Sequence, residues 1–337
     1  MMLSDRMRLL AAAALATLAA PVAAAAANYT LNVTGPMDLG SVAAAATGDT
    51  VFRIDPASGA VTVVSGAGRR ISTASARAQV NVTCKPSRAG DTDCTTKNVA
   101  IRIGTIGALV GRARPFSAFY AASGTATIVT PTSGTVPVTL ELAPLGDNVQ
   151  RTFFVGADFP VAGDDSGLAS GNGENAFYVY VVNALDQMVA GDSDKGRVRA
   201  FRAVAVTSAS DLNFGRIQRP TSGANTVTLN ASTGARTLSG AGNAFAYPTP
   251  APTRGGFTVT GEGGQQVSIS VPTSITLSGP ADLTVSLTDT APATRNLSGD
   301  LGATGSYSFT VGGSFAIDPS TPVGAYSAVL TVTVDYN

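Results

Sequence analysis

The sequence predicts an all-β protein built from two tandem antiparallel β-sandwich domains. Three observations point there. Glycine and proline are abundant, 37 and 18 of the 337 residues, and they punctuate short runs rich in valine, threonine and serine. Within many of those runs apolar and polar residues alternate with the period of a half-buried strand. Finally, a pattern of turns in the first half recurs in the second, and a chain of this length exceeds what a single core ordinarily organises.

The N-terminal residues read as a targeting signal rather than as structure. Arg6 and Arg8 precede the apolar run Leu9 to Ala19, and Pro21 leads into an alanine tract with an A-x-A-like cleavage site after Ala27. The run is too short to span a bilayer, so residues 1–27 form a cleaved leader and the mature chain carries no transmembrane segment. Export to the periplasm, cell surface or extracellular space follows.

The first domain is expected over 28–190. NYTLNVT alternates at Tyr29, Leu31 and Val33, as the first strand of that domain or as a short arm for another molecule. MDLGSV and TVFRIDPASGAVTVVSGAGR follow, with DPASG supplying an Asp to turn the chain and a glycine free to take positive φ. In CKPSRAGDTDC, Cys84 and Cys94 are the only cysteines; in an exported protein this spacing predicts a disulfide pinning a turn. RTFFVGADFPV and AFYVYVVN read as strands. ALDQMVAGDSDKG reads as a polar connecting loop, and RVRAFRAVAV as a strand entering the second domain, with a short helix as the alternative.

The second domain, 191–337, repeats the first. LNFGRI matches MDLGSV, NASTG matches DPASG, and Gly215 and Gly234 each lie 175 positions beyond Gly40 and Gly59. FTVGGSFAI resembles the earlier FFVGADFPV. The domain closes on SAVLTVTVDYN, which places Tyr326, Leu330, Val332, Val334 and Tyr336 on one face of a strand.

Composition excludes several functions. There is no histidine, which removes His-based triads and His-ligated metals. Only 13% of residues are charged and the formal net charge is zero, so no basic footprint for nucleic acid exists. The basic spots Arg69-Arg70, Arg112 with Arg114, and Arg197 with Arg199 read as solvated strand faces or turns. GNGENA leads into a strand rather than a helix and fails as a dinucleotide-binding loop. An outer-membrane barrel would want aromatic girdles, whereas aromatics are 6% with no tryptophan. Acidic glycine-rich loops offer weak calcium candidates, Asp164 and Asp165 first among them. No cofactor is expected.

LNFGRI, RGGFTVTGEGGQQVSISVP and FTVGGSFAIDPSTPVGAYSAVLTVTVDYN together resemble the bacterial domain of unknown function 4402, an exported β-sandwich family of uncharacterised role. The resemblance covers Leu212 to Asn337 well and Met37 to Asn183 more loosely. The C-terminal strand is also similar to that of chaperone–usher pilus subunits, with Gly324, Leu330, Val332, Val334 and the penultimate Tyr336 at matching positions. That resemblance implies an immunoglobulin-like, pilin-like sandwich whose edge strand borders a groove. It implies partners too: a periplasmic chaperone or homologous subunits, engaged through the edge strand. The function expected is therefore a non-enzymatic structural or adhesive protein, a pilus-like subunit assembled by strand addition, with a surface glycan as a candidate ligand. The alternative is a soluble periplasmic or secreted carbohydrate-binding module or enzyme.

Overall fold

The computed structural model describes residues 27–337 apart from 108, 131 and 132. All but Ala27 of the expected leader lies outside the described residues. The first domain runs β1 (Asn28–Thr34), β2 (Met37–Ala43), β3 (Thr50–Ile54), β4 (Val61–Ser65), β5 (Arg69–Arg70), β6 (Ala78–Lys85) and β7 (Val99–Thr105). It continues through β8 (Ala118–Ser123), β9 (Ser133–Thr135), β10 (Val138–Leu142), β11 (Gln150–Val161), β12 (Gly171–Val182) and β13 (Met188–Phe201). One helical turn, Asp93–Thr96, carries Cys94.

Two sheets face each other. One has the order β1-β6-β11-β3-β4, with β8 also paired to β11 and β9 to β8; the other is β10-β7-β12-β13-β2-β5. The alternation seen in sequence sets the inward faces. In β6, Ala78, Val80, Val82 and Cys84 are buried while the residues between them are not. Phe116, Phe119, Phe159 and Phe177 meet between the sheets with neighbouring ring centroids 5.0–6.2 Å apart.

The second domain runs β14 (Ala205–Ser210), β15 (Ile217–Gln218), β16 (Asn225–Leu229), β17 (Arg236–Ser239), β18 (Phe245–Ala246) and β19 (Gly255–Glu262). It continues through β20 (Gln266–Ser270), β21 (Ser274–Leu277), β22 (Leu283–Asp289), β23 (Thr294–Asn296), β24 (Thr304–Ile317) and β25 (Thr333–Tyr336). Its main sheet, β14-β19-β24-β16-β17 with β22 also on β24, repeats the order of the first domain's β1-β6-β11-β3-β4 with β8 on β11. The repeated turns repeat in detail. Asp55 accepts a hydrogen bond from the Ala57 N–H and Asn230 from the Ser232 N–H, at 3.0 and 2.8 Å. Gly59 and Gly234 then take positive φ of 75° and 74°.

Two sequence expectations change. The segment expected to be a polar loop is mostly strand: only Asn183–Gln187 turns, with Asn183 Oδ1 accepting from the N–H groups of Leu185 and Gln187. From Met188 the chain runs as β13, paired to β12 along its length and, in parallel, to β2. The expected 190/191 boundary falls within β13, and residues 202–204 separate β13 from β14. Period-two burial explains why RVRAF is strand and not helix: Gly196, Val198 and Ala200 are buried while Arg197 and Arg199 are exposed. AFYVYVVN, β12, is correspondingly a central strand of its sheet and does not close the domain.

Candidate functional site

The two domains differ by one strand. In the first, β13 lies between β12 and β2, and β10-β7-β12-β13-β2-β5 is continuous. In the second, the corresponding layer is two fragments, β23-β20-β25 and β15-β18. Among the described residues, no strand joins β25 to β15 in the place of β13.

The walls of that place are recognisable from the duplication. Gly40 and Gly215 both have positive φ, and each N–H donates to a side chain two residues earlier, Asp38 or Asn213, at 2.7 Å. This shared turn aligns Met37, Leu39 and Val42 with Leu212, Phe214 and Ile217. In the first domain those three are fully buried, because β13 covers them. In the second, all three are only partly buried against the core. The opposite wall behaves alike. Phe177 and Val179 of β12 are fully buried, whereas Leu330, Val332 and Val334 are partly buried. By the duplication, these six apolar side chains border a slot, the position that β13 fills in the first domain, and β25 presents an unpaired ladder edge to it.

Of the expected assembly-strand residues, Val334 and Tyr336 lie in β25 while Gly324, Tyr326, Leu330 and Val332 precede it, so the strand is shorter than its alternation suggests. β25 pairs with β20 from Ser270↔Thr333 to Val267↔Tyr336 and, among the described residues, has no partner on its other edge. The ladder stops at Thr333 because β20 gives way to Val271 and Pro272, and proline has no N–H to offer. Tyr326 to Val332 therefore run without a ladder apart from the bridge Ser278↔Ser327. Gly324 packs against the Pro280 ring, and the Tyr326 hydroxyl donates to the Pro322 carbonyl at 2.8 Å. Val323 and Val329 are exposed.

Tyr336 does something the sequence did not reveal. Its ring sits 5.7 Å from that of Phe201, the last residue of β13. Its hydroxyl accepts from the Glu262 N–H at 2.6 Å and donates to the Arg202 carbonyl at 2.9 Å. Burial, reinforced by the Glu262 charge, pushes the Tyr336 phenol up to about 12. Glu262 is itself fully buried, and its carboxylate accepts from Ser170 Oγ at 3.0 Å, the Arg202 N–H at 3.1 Å and the Gly302 N–H. Arg69 of the first domain completes the junction, pairing with Asp335 at 2.9 Å. These residues are far apart in sequence, and the lone Glu in VTGEGG was the only visible hint.

The remaining expected sites have structural partners. Cys84 and Cys94 are disulfide-bonded, tying the end of β6 to the short helix. Asp164 pairs with Arg112 and accepts from the Ala203 N–H at 2.8 Å, and Asp165 accepts from the Gly48 N–H. These carboxylates are engaged by protein donors, and among the described residues no group of three potential metal ligands gathers. Arg112, expected on a solvated strand face or in a turn, lies in a turn but is 1% exposed.

Residues 204–336 match the family model of the domain of unknown function DUF4402. The match begins at the junction and ends on β25, so it covers the second domain. No curated protein matches the chain. Among solved structures, the chain is similar to a chaperone–tip adhesion subunit pre-assembly complex, CsuC–CsuE, from archaic chaperone–usher Csu pili of Acinetobacter baumannii. That alignment covers 90% of this chain and 99% of the other at 9% identity, with a TM-score of 0.24. The DUF4402 segment contains both walls of the slot, Leu212 to Ile217 and Leu330 to Val334.

Proposed function

We propose that this chain is an exported, non-enzymatic structural or adhesive subunit whose second domain takes a β-strand from another polypeptide. One observation carries the reading: the second domain repeats the first but leaves the place of β13 open, lined by half-buried apolar side chains and one unpaired edge. Strand addition supplies what such a place needs, ladder hydrogen bonds for affinity and alternate apolar side chains for register. A periplasmic chaperone and a neighbouring subunit of a pilus-like fibre both offer strands of this kind. The assembly residues are then Leu330, Val332 and Val334 on one wall, with Tyr336 anchoring that wall.

The experiment is complementation of the purified protein with an extended peptide carrying valine at alternate positions and lysine or threonine between. Because a ligand that binds only the folded form stabilises it by mass action, the thermal midpoint of the second domain should rise with peptide concentration. Val332→Asp should abolish the rise by placing charge in the slot, while a peptide with its valines replaced by serine serves as the control. A midpoint indifferent to the valine peptide at high concentration refutes strand acceptance.

A further inference from the structure

The slot is not closed at both ends by the second domain. At the end where β25 finishes, it opens into a cavity of about 370 Å³. Ala46, Ala67 and Arg69 of the first domain line this cavity, with Val204 of the junction and Val334 and Asp335 of β25. Val334 belongs to both features: it is the last apolar residue of the slot wall and part of the cavity lining. A strand laid against the open edge of β25 would run past Val334 towards a space lined by the other domain.

The molecule also contains a template for the direction of that strand. β13 runs antiparallel to β12 and parallel to β2, with Gly196 opposite both Asn175 and Met37, and Ala200 opposite Gly171 and Val42. A strand in the same orientation would run antiparallel to β25. Its N-terminal end would then lie beside Asp335, because β25 ends at the first domain. There the Tyr336 carbonyl lies 3.4 Å from the Arg69 guanidinium, and the Tyr336 hydroxyl reaches the Arg202 carbonyl.

We infer that the junction cavity is a recognition subsite, in which the first domain receives an apolar side chain at the N-terminal end of the strand that fills the second domain's slot. The inference rests on the strand-acceptor reading and adds to it. The occupant is an extended segment of another chain, apolar at alternate positions, whose N-terminal residue is aliphatic. Most of the lining side chains are alanines, and with the aliphatic Val204 and Val334 they offer such a side chain apolar contact, while Arg69 and Asp335 are paired with each other. Choice of partner is then shared between the domains. The slot fixes register, and the first domain reads the end.

The test uses two forms of the valine-alternating peptide, labelled at the C-terminus and differing only in an N-terminal leucine or glycine. Binding to the full chain is followed by fluorescence anisotropy. Burying the leucine should tighten binding about tenfold over glycine. Ala67→Trp, at an exposed position outside the slot, fills the cavity; it should remove the leucine advantage and leave the glycine peptide's affinity unchanged. Ala46→Trp should do the same from another wall. Equal affinities in the unsubstituted protein overturn the inference while leaving strand acceptance intact. So does a leucine advantage that survives both tryptophans. Failure of both peptides to bind overturns the strand-acceptor reading and the subsite with it.

Discussion

Replacing Tyr336 by phenylalanine isolates the contribution of one hydroxyl to the anchoring of β25. The ring stays against Phe201, but the Glu262 N–H and the Arg202 carbonyl each lose a partner at a residue only 6% exposed. Leaving a buried polar group unsatisfied costs about 1–3 kcal/mol, so the two losses together should destabilise the second domain by about 2–4 kcal/mol at neutral pH. The wild type should also carry a pH dependence that the variant lacks. The folded-state phenol titrates near 12, above its ordinary value of about 10. Between those values the native protein keeps a proton that the unfolded chain has lost, so stability is complete below pH 10 and falls as pH rises through that window. Two pH units correspond to about 2.7 kcal/mol, and solvent beside the open junction reduces the expected loss to about 1–2 kcal/mol. Tyr29 and Tyr120 are also shifted upward, but they titrate in both proteins and cancel in the difference. Urea unfolding followed by far-ultraviolet circular dichroism, at intervals from pH 7 to pH 12, measures the gap between wild type and variant. The gap should be largest below pH 10 and narrow above it. Equal unfolding midpoints at neutral pH, or a gap unchanged to pH 12, would refute the buried, doubly bonded hydroxyl.

Three further outcomes are expected. Cys84→Ser and Cys94→Ser should each lower first-domain stability by about 2–3 kcal/mol, and the double variant should cost little more, because both remove one cross-link; denaturant midpoints decide this, and thiol titration of the unreduced wild type should find none. Arg112→Ala should cost about 2–4 kcal/mol, since it empties a fully buried position and takes the ionic partner from Asp164, whose side chain is 25% exposed and keeps the Ala203 N–H, and Arg112→Ala with Asp164→Ala should recover part of that loss in a double-variant cycle. Gly215→Ala should destabilise the second domain by at least about 1 kcal/mol, because φ is 74° and the added Cβ would lie 2.7 Å from the Pro250 carbonyl oxygen; a neutral melt contradicts the shared turn.

The duplication was legible because it is written in turns. Gly40 with Gly215 and Gly59 with Gly234 sit where the backbone needs positive φ, and local demands of that kind survive in sequence when side chains on strands diverge. The disulfide was legible from the spacing of two cysteines in a chain expected to be exported. What was not legible was β13. Its inward positions include Asp192, Asp194 and Gly196, so a strand flanked on both edges reads as a polar loop, and the first domain appeared to end one strand early. The open slot could not be recognised until that strand was in place, since only the filled position in one domain shows what its sibling lacks. The junction was hidden for another reason. Arg69, Asp164, Arg202, Glu262 and Tyr336 share no period or motif, and only the packing of one domain against the other brings them together.

That packing bears on how an open edge can be kept in strand form. β25 has a ladder on one side only, four residues long, and the apolar row beside it is half exposed. Full burial of a valine or leucine side chain contributes about 1.5–3 kcal/mol, so a row of three partly exposed side chains forgoes about 1–3 kcal/mol. A short strand under those conditions would be expected to fray. The second domain instead fixes the end of β25 from outside its own sheet: Asp335 is paired by Arg69, the Tyr336 carbonyl faces the same guanidinium, and the Tyr336 hydroxyl bridges Glu262 and Arg202. Three of these four contacts come from the first domain or the residue that follows β13. The closed domain thus holds the edge of the open one extended, with its hydrogen-bonding groups presented. An edge held in this way pays less ordering entropy on pairing than a frayed one, and affinity for an incoming strand rises accordingly.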